Sequence, residues 1–301
     1  MREEVYPCWE VLRTVLGDRL RVDEPMSAHT SWHVGGPADL FAEVHSLGEL
    51  NQVRQVASDH KLPVTVVGDG TNVLVLDGGV RGLTVTLRGE FGMVEVAGDR
   101  LRAGAGASLA SCVEQARVHG LTGLEFAAGI PGTIGGAVVG NAGTREESVG
   151  DRITFVSIWL DGGGERVLDS YGHSYRNSSL RGETVLGCEF ELARDAVQAI
   201  AGREKERLAA RRSQPRAQSA GCVFRNPPGE SAGRMIDELG LKGTTVGGAT
   251  VSREHGNFIL TAHDGARAED VLRLIELVGE GVFKALGLEL ELEVQLLGEQ
   301  T

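Results

Sequence analysis

A chain of 301 residues can bury one large core, or two to three smaller ones. Its net charge of −12 argues against non-specific nucleic-acid binding, but not against a small anion held by main-chain amides and a few arginines. No apolar run is long enough to span a bilayer, and Met1–Glu4 opens no signal-peptide core. The four cysteines, Cys8, Cys112, Cys188 and Cys222, form no paired motif, which argues against both a zinc site and a disulfide framework. A reduced, cytoplasmic enzyme with no metal is therefore expected.

In chain order, a short amphipathic helix is expected over Trp9–Leu16, closed by Gly17. Ala28–Phe41 is polar, then turned by Gly35 and Gly36, then a strand. Leu47–Lys61 has helical spacing at Leu47, Leu50, Val53 and Val56. Pro63–Val67 is a β-branched strand that runs into Gly68-Asp-Gly-Thr-Asn72, and a second strand, Val73–Leu76, follows. A dinucleotide fingerprint of the Rossmann kind needs a third glycine and a helix at this point, and both are missing. Strands are expected over Leu83–Leu87, Met93–Ala97 and Leu101–Ala105, and a helix over Leu109–His119.

The centre of the chain is Gly123–Gly143, with Gly129, Gly132, Gly135, Gly136, Gly140 and Gly143 set among small residues and Pro131. This stretch is too rich in glycine for a helix or a plain strand, so a loop is expected. Clustered glycines let main-chain N–H groups crowd against a phosphate. Beyond it, Ile153–Leu160 and Glu165–Leu168 read as a hairpin around Asp161–Gly164, Ser170–Arg181 as irregular, and Thr184–Leu192 as a strand. Ala196–Arg212 is a charged helix connecting to a second folding unit. That unit holds the loop Ser219–Gly229, a helix near Gly233–Leu239, a glycine turn at Gly247 and Gly248 and a strand Asn257–Thr261. A helix Ala268–Leu286 and a strand Leu288–Leu297 complete it.

Taken together, His29–Gly36, Gly68–Leu74, Gly123–Gly136, Asn141–Gly143, Tyr175–Ser178, Ser219–Pro227 and Leu290–Gly298 resemble the UDP-N-acetylenolpyruvoylglucosamine reductase family in its compact form. The resemblance implies an α+β fold for FAD binding of the vanillyl-alcohol-oxidase/PCMH type, plus an α+β substrate-binding domain. Residues 1–85 and 86–196 would be two FAD-binding subdomains, with 294–301 returning to the first, and 197–293 the substrate domain. Val67, Gly68, Asp69, Gly70, Thr71, Asn72, Val73, Gly129, Ile130, Pro131, Gly132, Thr133, Gly135 and Gly136 would line non-covalent FAD, with Asn141, Ala142 and Gly143 beside it.

The implied activity is NADPH-dependent reduction of UDP-N-acetylglucosamine-enolpyruvate to UDP-N-acetylmuramate, a step of peptidoglycan synthesis. A monomer acting on this small molecule, with no nucleic-acid or membrane partner, is expected. By resemblance Arg176 stabilises the negative charge that builds on the substrate, and Cys222 gives the proton where the family usually has serine. An isolated arginine in a polar loop is ordinarily a solvated surface group, and an isolated cysteine a small buried apolar one. The family match reverses both readings. A thiol is far more acidic than an aliphatic alcohol and can still protonate a carbanion.

Glu293 matches the third catalytic position, with Glu291 as the neighbouring alternative. Alternation in Glu289–Glu293 places the three glutamates on one strand face. A carboxyl facing the substrate carboxylate is disfavoured as an anion, so a hydrogen-bonding role is expected of Glu293. Tyr175, Arg225 and Asn226 carry over as substrate contacts. Arg225 stands where lysine is common, and Gln295 where an arginine is frequent. A flavin oxidase of the same fold would not need the set of Arg176, Cys222 and Glu293. A non-catalytic nucleotide-binding scaffold would leave those three positions idle.

Overall fold

The computed structural model describes residues 7–261 and 265–300. Its described helices are α1 (Trp9–Leu16), α2 (Leu47–Asp59), α3 (Leu109–Val118), α4 (Ile134–Gly140), α5 (Val197–Ala210), α6 (Ala232–Glu238) and α7 (Ala268–Leu286). Local chemistry sets their ends. Gly17 closes α1 with φ +58. The hydroxyls of Ser46, Ser108 and Ser231 accept the otherwise unpaired N–H groups of Glu49, Ser111 and Arg234 at the starts of α2, α3 and α6.

The chain divides into two compact units. The first comprises residues up to Val22, Leu40–Gly68 and Gly82–Arg211. An antiparallel sheet runs through it in the order Glu165–Leu168, Ile153–Trp159, Val185–Glu191, Arg100–Gly104, Val94–Ala97. The expected hairpin around Asp161–Gly164 is its edge. α3 buries Leu109, Cys112, Val113 and Ala116, the face that its spacing predicts. The strand Val64–Val66 pairs in parallel with Leu83–Val85, and α2 covers the same core with Leu50, Val53 and Ala57. The unit ends at Arg211, with α5 inside it.

The second unit comprises Asp23–Asp39, Asp69–Arg81 and 212–301. Thr245–Val246, Ala249–Val251 and Ile259–Thr261 form an antiparallel sheet. α7 buries Val271, Leu274, Ile275, Val278 and Val282 in a core shared with Trp32, Leu74, Val223 and Ile236. Both carboxylate oxygens of Asp77 accept from the start of this helix, Oδ1 from Ala268 N at 3.1 Å and Oδ2 from Glu269 N at 3.0 Å. The strand Val73–Val75 pairs in parallel with Gln295–Leu297.

Three expectations change. The glycine-rich centre is not all loop, because α4 lies inside it. Burial of Ile134, Ala137 and Val138, with Thr133 accepting from Gly136 N and Asn141 closing the helix at φ +47, outweighs the poor propensity of three glycines. Ser170–Arg181 is not wholly irregular, since His173–Ser174 pairs with Asn177–Ser178. The last strand spans only Gln295–Leu297, and Glu289–Glu293 do not share one strand face. Glu289 and Glu291 are exposed, while Glu293 is half-buried.

Candidate active site

In the first unit the two glycine segments meet at Gly68 and Thr133. A methyl added to Gly68 would overlap Thr133 Oγ1 and sit 3.4 Å from its Cβ and Cγ2. Only glycine allows this approach, and the Thr133 hydroxyl is also the one that accepts from Gly136 N at 3.4 Å. The segment 105–109 clamps the other side of the loop. Ile134 N donates to Ala107 O and Gly135 N to Ala105 O, both at 2.8 Å, and Leu109 N donates to Gly132 O at 2.9 Å. Gly129 and Gly132 have φ of +79° and +112°, open to glycine. Gly129, Pro131 and Gly136 are exposed, and nothing lies within 4 Å of the position a Cβ would take on Gly140. The result is an accessible rim of main chain almost free of side chains, which suits a flat dinucleotide better than a substrate read by side chains.

Glu125 braces the entry to this loop. Its buried carboxylate accepts from Thr122 Oγ1 at 2.7 Å, Gly123 N at 2.6 Å and Arg203 Nε at 2.9 Å. Burial pushes its pKa up, but these hydrogen bonds outweigh burial and hold it below the usual glutamate range.

Tyr175 and Arg176 form the two-residue turn of the small hairpin. Arg176 has φ +55, a region that costs an ordinary L-residue about 1–2 kcal/mol. Its guanidinium carbon lies 5.2 Å from the centre of the Tyr175 ring. The turn is tied to the end of α4 on both sides. Asn141 Nδ2 donates to Ser174 O, and Ser178 Oγ donates to Val139 O, each at 2.8 Å. Asn141 Oδ1 accepts from Gly150 N at 3.0 Å, so both ends of that buried amide are engaged within the protein. The main chain of Ala142 is engaged as well, with its N–H on Ala137 O and its carbonyl on Val149 N, and Gly143 bridges Ser148.

In the second unit, Gly70 (φ +61) lies so close to the His29 carbonyl that a side chain would not fit, and Ser31 N donates to Gly70 O at 3.2 Å. The His29–Gly36 motif is thus the seat of the first glycine loop. Trp32 fixes that seat, donating from Nε1 to Ile259 O at 2.7 Å while its own carbonyl accepts from Thr261 Oγ1 at 2.7 Å.

Cys222 follows Gly221 (φ +76) and is half-buried, whereas Cys8, Cys112 and Cys188 are buried. The residues after it form a rung. Glu293 N donates to Val223 O and Arg225 N to Glu291 O, both at 2.8 Å. Asn72 lies alongside, with Nδ2 on Glu293 O at 3.1 Å and its carbonyl accepting from Gln295 N at 3.0 Å. Cys222, Glu293 and Asn72, read from three distant parts of the sequence, therefore occupy neighbouring segments of one unit. Arg176 belongs to the first unit. Glu291 points to solvent and pairs with Arg225 at 3.2 Å, which leaves Glu293 as the less exposed of the two candidates. Asn226 Oδ1 accepts from Ala232 N at 3.0 Å and so steadies the entry to α6.

Sequence reasoning passed over Asn257, Glu125 and the segment 105–109. Glu125 lies in the glycine-rich centre, and Asn257, Ala105 and Leu109 lie at the ends of expected elements, but no motif gives any of them a role at the site. Among the described residues there is no group of three or more His, Cys, Asp or Glu side chains placed to hold a metal, and no helix is long and apolar enough to cross a membrane.

The comparisons with known proteins define a flavin-dependent oxidoreductase with an α+β, FAD-binding fold. Residues 38–168 match the FAD binding domain family, and residues 214–297 match the family described as UDP-N-acetylenolpyruvoylglucosamine reductase, C-terminal domain. The chain is 45% identical over 293 residues to the UDP-N-acetylenolpyruvoylglucosamine reductase of Moorella thermoacetica, covering 96% of each chain. It is 41% identical to UDP-N-acetylenolpyruvoylglucosamine reductase 2 of Symbiobacterium thermophilum, covering 97% of each. It superposes on the crystal structure of the Thermus caldophilus enzyme with a TM-score of 0.81 at 40% identity, over 92% of this chain and 98% of that one. The chain belongs to the UDP-N-acetylenolpyruvoylglucosamine reductase family. Its cofactor is FAD, and the open main-chain rim of Gly129–Gly136 fits that group.

Proposed function

We propose that this protein reduces the enolpyruvyl ether of UDP-N-acetylglucosamine-enolpyruvate to the lactyl ether of UDP-N-acetylmuramate, using NADPH. FAD, held along the main-chain rim of Gly129–Gly136, would supply the hydride chemistry between NADPH and the terminal carbon of the double bond. The neighbouring carbon then carries negative charge delocalised into the substrate carboxylate. The Arg176 guanidinium forks onto that carboxylate and cannot be deprotonated. Cys222 Sγ–H gives its proton to the carbanion, and the thiolate recovers a proton from solvent. Glu293 hydrogen-bonds the developing charge. Tyr175, Arg225 and Asn226 contact the substrate.

The rung that joins Val223 to Glu293 supports this reading most directly, because it pairs the backbone segments that carry the proposed acid and the proposed carboxyl. The same reading carries the division into two FAD-binding subdomains (1–85, 86–196) and a substrate domain (197–293). It also carries a cytoplasmic, monomeric enzyme of peptidoglycan synthesis.

The test is anaerobic reduction by NADPH followed by reoxidation with the UDP-enolpyruvyl sugar. Cys222→Ala should leave flavin reduction intact and slow reoxidation by the sugar to a small residual rate. Unchanged reoxidation rejects Cys222 as the acid. Glu293→Ala should slow the same step, while Glu291→Ala should not.

A further inference from the structure

Asn257 is 2% exposed, and all four of its polar groups are engaged. Its side chain grips one residue twice, with Oδ1 accepting from Phe224 N at 2.9 Å and Nδ2 donating to Phe224 O at 2.7 Å. Its carbonyl accepts from Val223 N at 2.9 Å, and its own N–H donates to His255 Nδ1 at 3.2 Å. The next residue, Phe258, bridges Cys222.

The clamp is itself held by neighbouring contacts. His255 stacks edge-on against Phe258, with ring centres 4.8 Å apart. Ser252 Oγ accepts from Glu254 N and His255 N at 3.0 and 3.3 Å. The chain leaving Cys222 is thus held by Asn257 on one side and by Glu293 N on the other. Gly221, at φ +76, leads into it. A side chain that imitates a peptide unit at this place does more than fill a core. It takes up hydrogen bonds that a regular strand would make, where the chain must stop being a regular strand to present a thiol.

We propose that Asn257 is a positioning residue for the Cys222 thiol. The proposal rests on the reading of Cys222 as the proton donor. Asn257 touches neither substrate nor cofactor in this role and acts only through the segment that carries Sγ. A displacement of about 1 Å at a reacting group costs on the order of 100-fold in rate, so a loosened clamp registers in proton delivery before it registers in flavin binding.

The experiment uses the flavoprotein with Asn257→Ala and Asn257→Asp, each alone and with Cys222→Ala. Flavin reduction by NADPH and reoxidation by the UDP-enolpyruvyl sugar are followed separately by stopped flow. Asn257→Ala should keep the wild-type rate of flavin reduction and lose roughly 10–100-fold in reoxidation, mostly in the maximal rate rather than in the sugar concentration for half-saturation. Asn257→Asp keeps an acceptor for Phe224 N but loses the donor to Phe224 O, and should fall between. With Cys222→Ala in place, Asn257→Ala should change reoxidation by less than about 2-fold, because no thiol remains to be misplaced.

Equal slowing of both half-reactions overturns the proposal. So does a wild-type rate of reoxidation, or the same fold-loss in the Cys222→Ala background. If Cys222→Ala alone reoxidises at the wild-type rate, the acid assignment fails and the proposal falls with it. A slow Cys222→Ala beside a normal Asn257→Ala removes the positioning role alone. Should Asn257→Ala not retain flavin, Asn257→Asp carries the same comparison.

Discussion

Gly68→Ala offers the sharpest probe of how the two glycine segments meet. The φ of Gly68 is not in the left-handed region, so alanine is excluded by space alone, and that space belongs to Thr133 Oγ1. Forcing one extra methyl into a packed site costs roughly 1–3 kcal/mol. Thr133 can escape only by turning its hydroxyl away from Gly136 N, which gives up a helix cap worth about 1 kcal/mol. We take about 2 kcal/mol for Gly68→Ala, a loss of roughly 30-fold in the population of the flavin-binding loop. Thr133→Ala alone loses only the cap, about 1 kcal/mol.

The double variant discriminates. With the hydroxyl gone, the alanine methyl at 68 meets ordinary contacts, so the pair together should lose about 1 kcal/mol instead of the ~3 kcal/mol of simple addition. FAD affinity by flavin-fluorescence quenching and thermal unfolding both read this out. Additive losses would refute the claim that these two residues determine each other.

Further outcomes are expected. In the flavoprotein without substrate, iodoacetamide should label one cysteine, Cys222, because burial pushes the Cys112 thiol up to about 12 and the Cys188 thiol well above its usual range. Mass spectrometry showing a second thiol reacting at a similar rate would contradict this. Glu125 and Glu189 are both held below the usual glutamate pKa despite burial that pushes the other way, Glu125 by Thr122, Gly123 and Arg203, and Glu189 by Arg102, Arg100 and Thr154. A depressed folded pKa contributes stability above the unfolded value of about 4.3 that is lost as pH falls through the folded pKa. The melting temperature should therefore drop below about pH 4.3, and Glu125→Gln should be less stable at neutral pH with a shallower acid limb. An acid limb as steep as that of the wild type would exclude Glu125 as a contributor. Arg176→Asn should lose roughly 100-fold or more in reoxidation by the sugar while the melting temperature barely moves. Asparagine tolerates the left-handed conformation that strains arginine, and this offsets the lost contact with Tyr175. A large fall in melting temperature would mean that the guanidinium supports the fold instead.

What was legible in the sequence tracked the strength of its period. α7 begins and ends where its spacing predicts, as its long apolar stripe ends at Gly287. The buried face of α3 was equally plain. α4 was not, because three of its seven residues are glycine and only tertiary burial makes it a helix. The Arg176 hairpin escaped notice because two-residue strands carry no alternation. Glu289–Glu293 showed the reverse error, since alternation in sequence suggested a strand where the chain instead bonds to Val223 and Arg225. Motif resemblance singles out Cys222, Glu293 and the glycine loops, but it is blind to Asn257, a lone polar residue whose role exists only through the chain it grips.

The pairing of Val73–Val75 with Gln295–Leu297 has a consequence for synthesis on the ribosome. Among the described strands, Val73–Val75 pairs only with that late partner, more than two hundred residues downstream. During translation it stays an open edge, able to recruit a wrong strand, until the nascent chain has emerged past Leu297. Any truncation upstream of Gln295 should therefore leave Val73–Val75, which follows directly on the glycine loop Gly68–Asn72, without its strand partner and prone to recruit a wrong one.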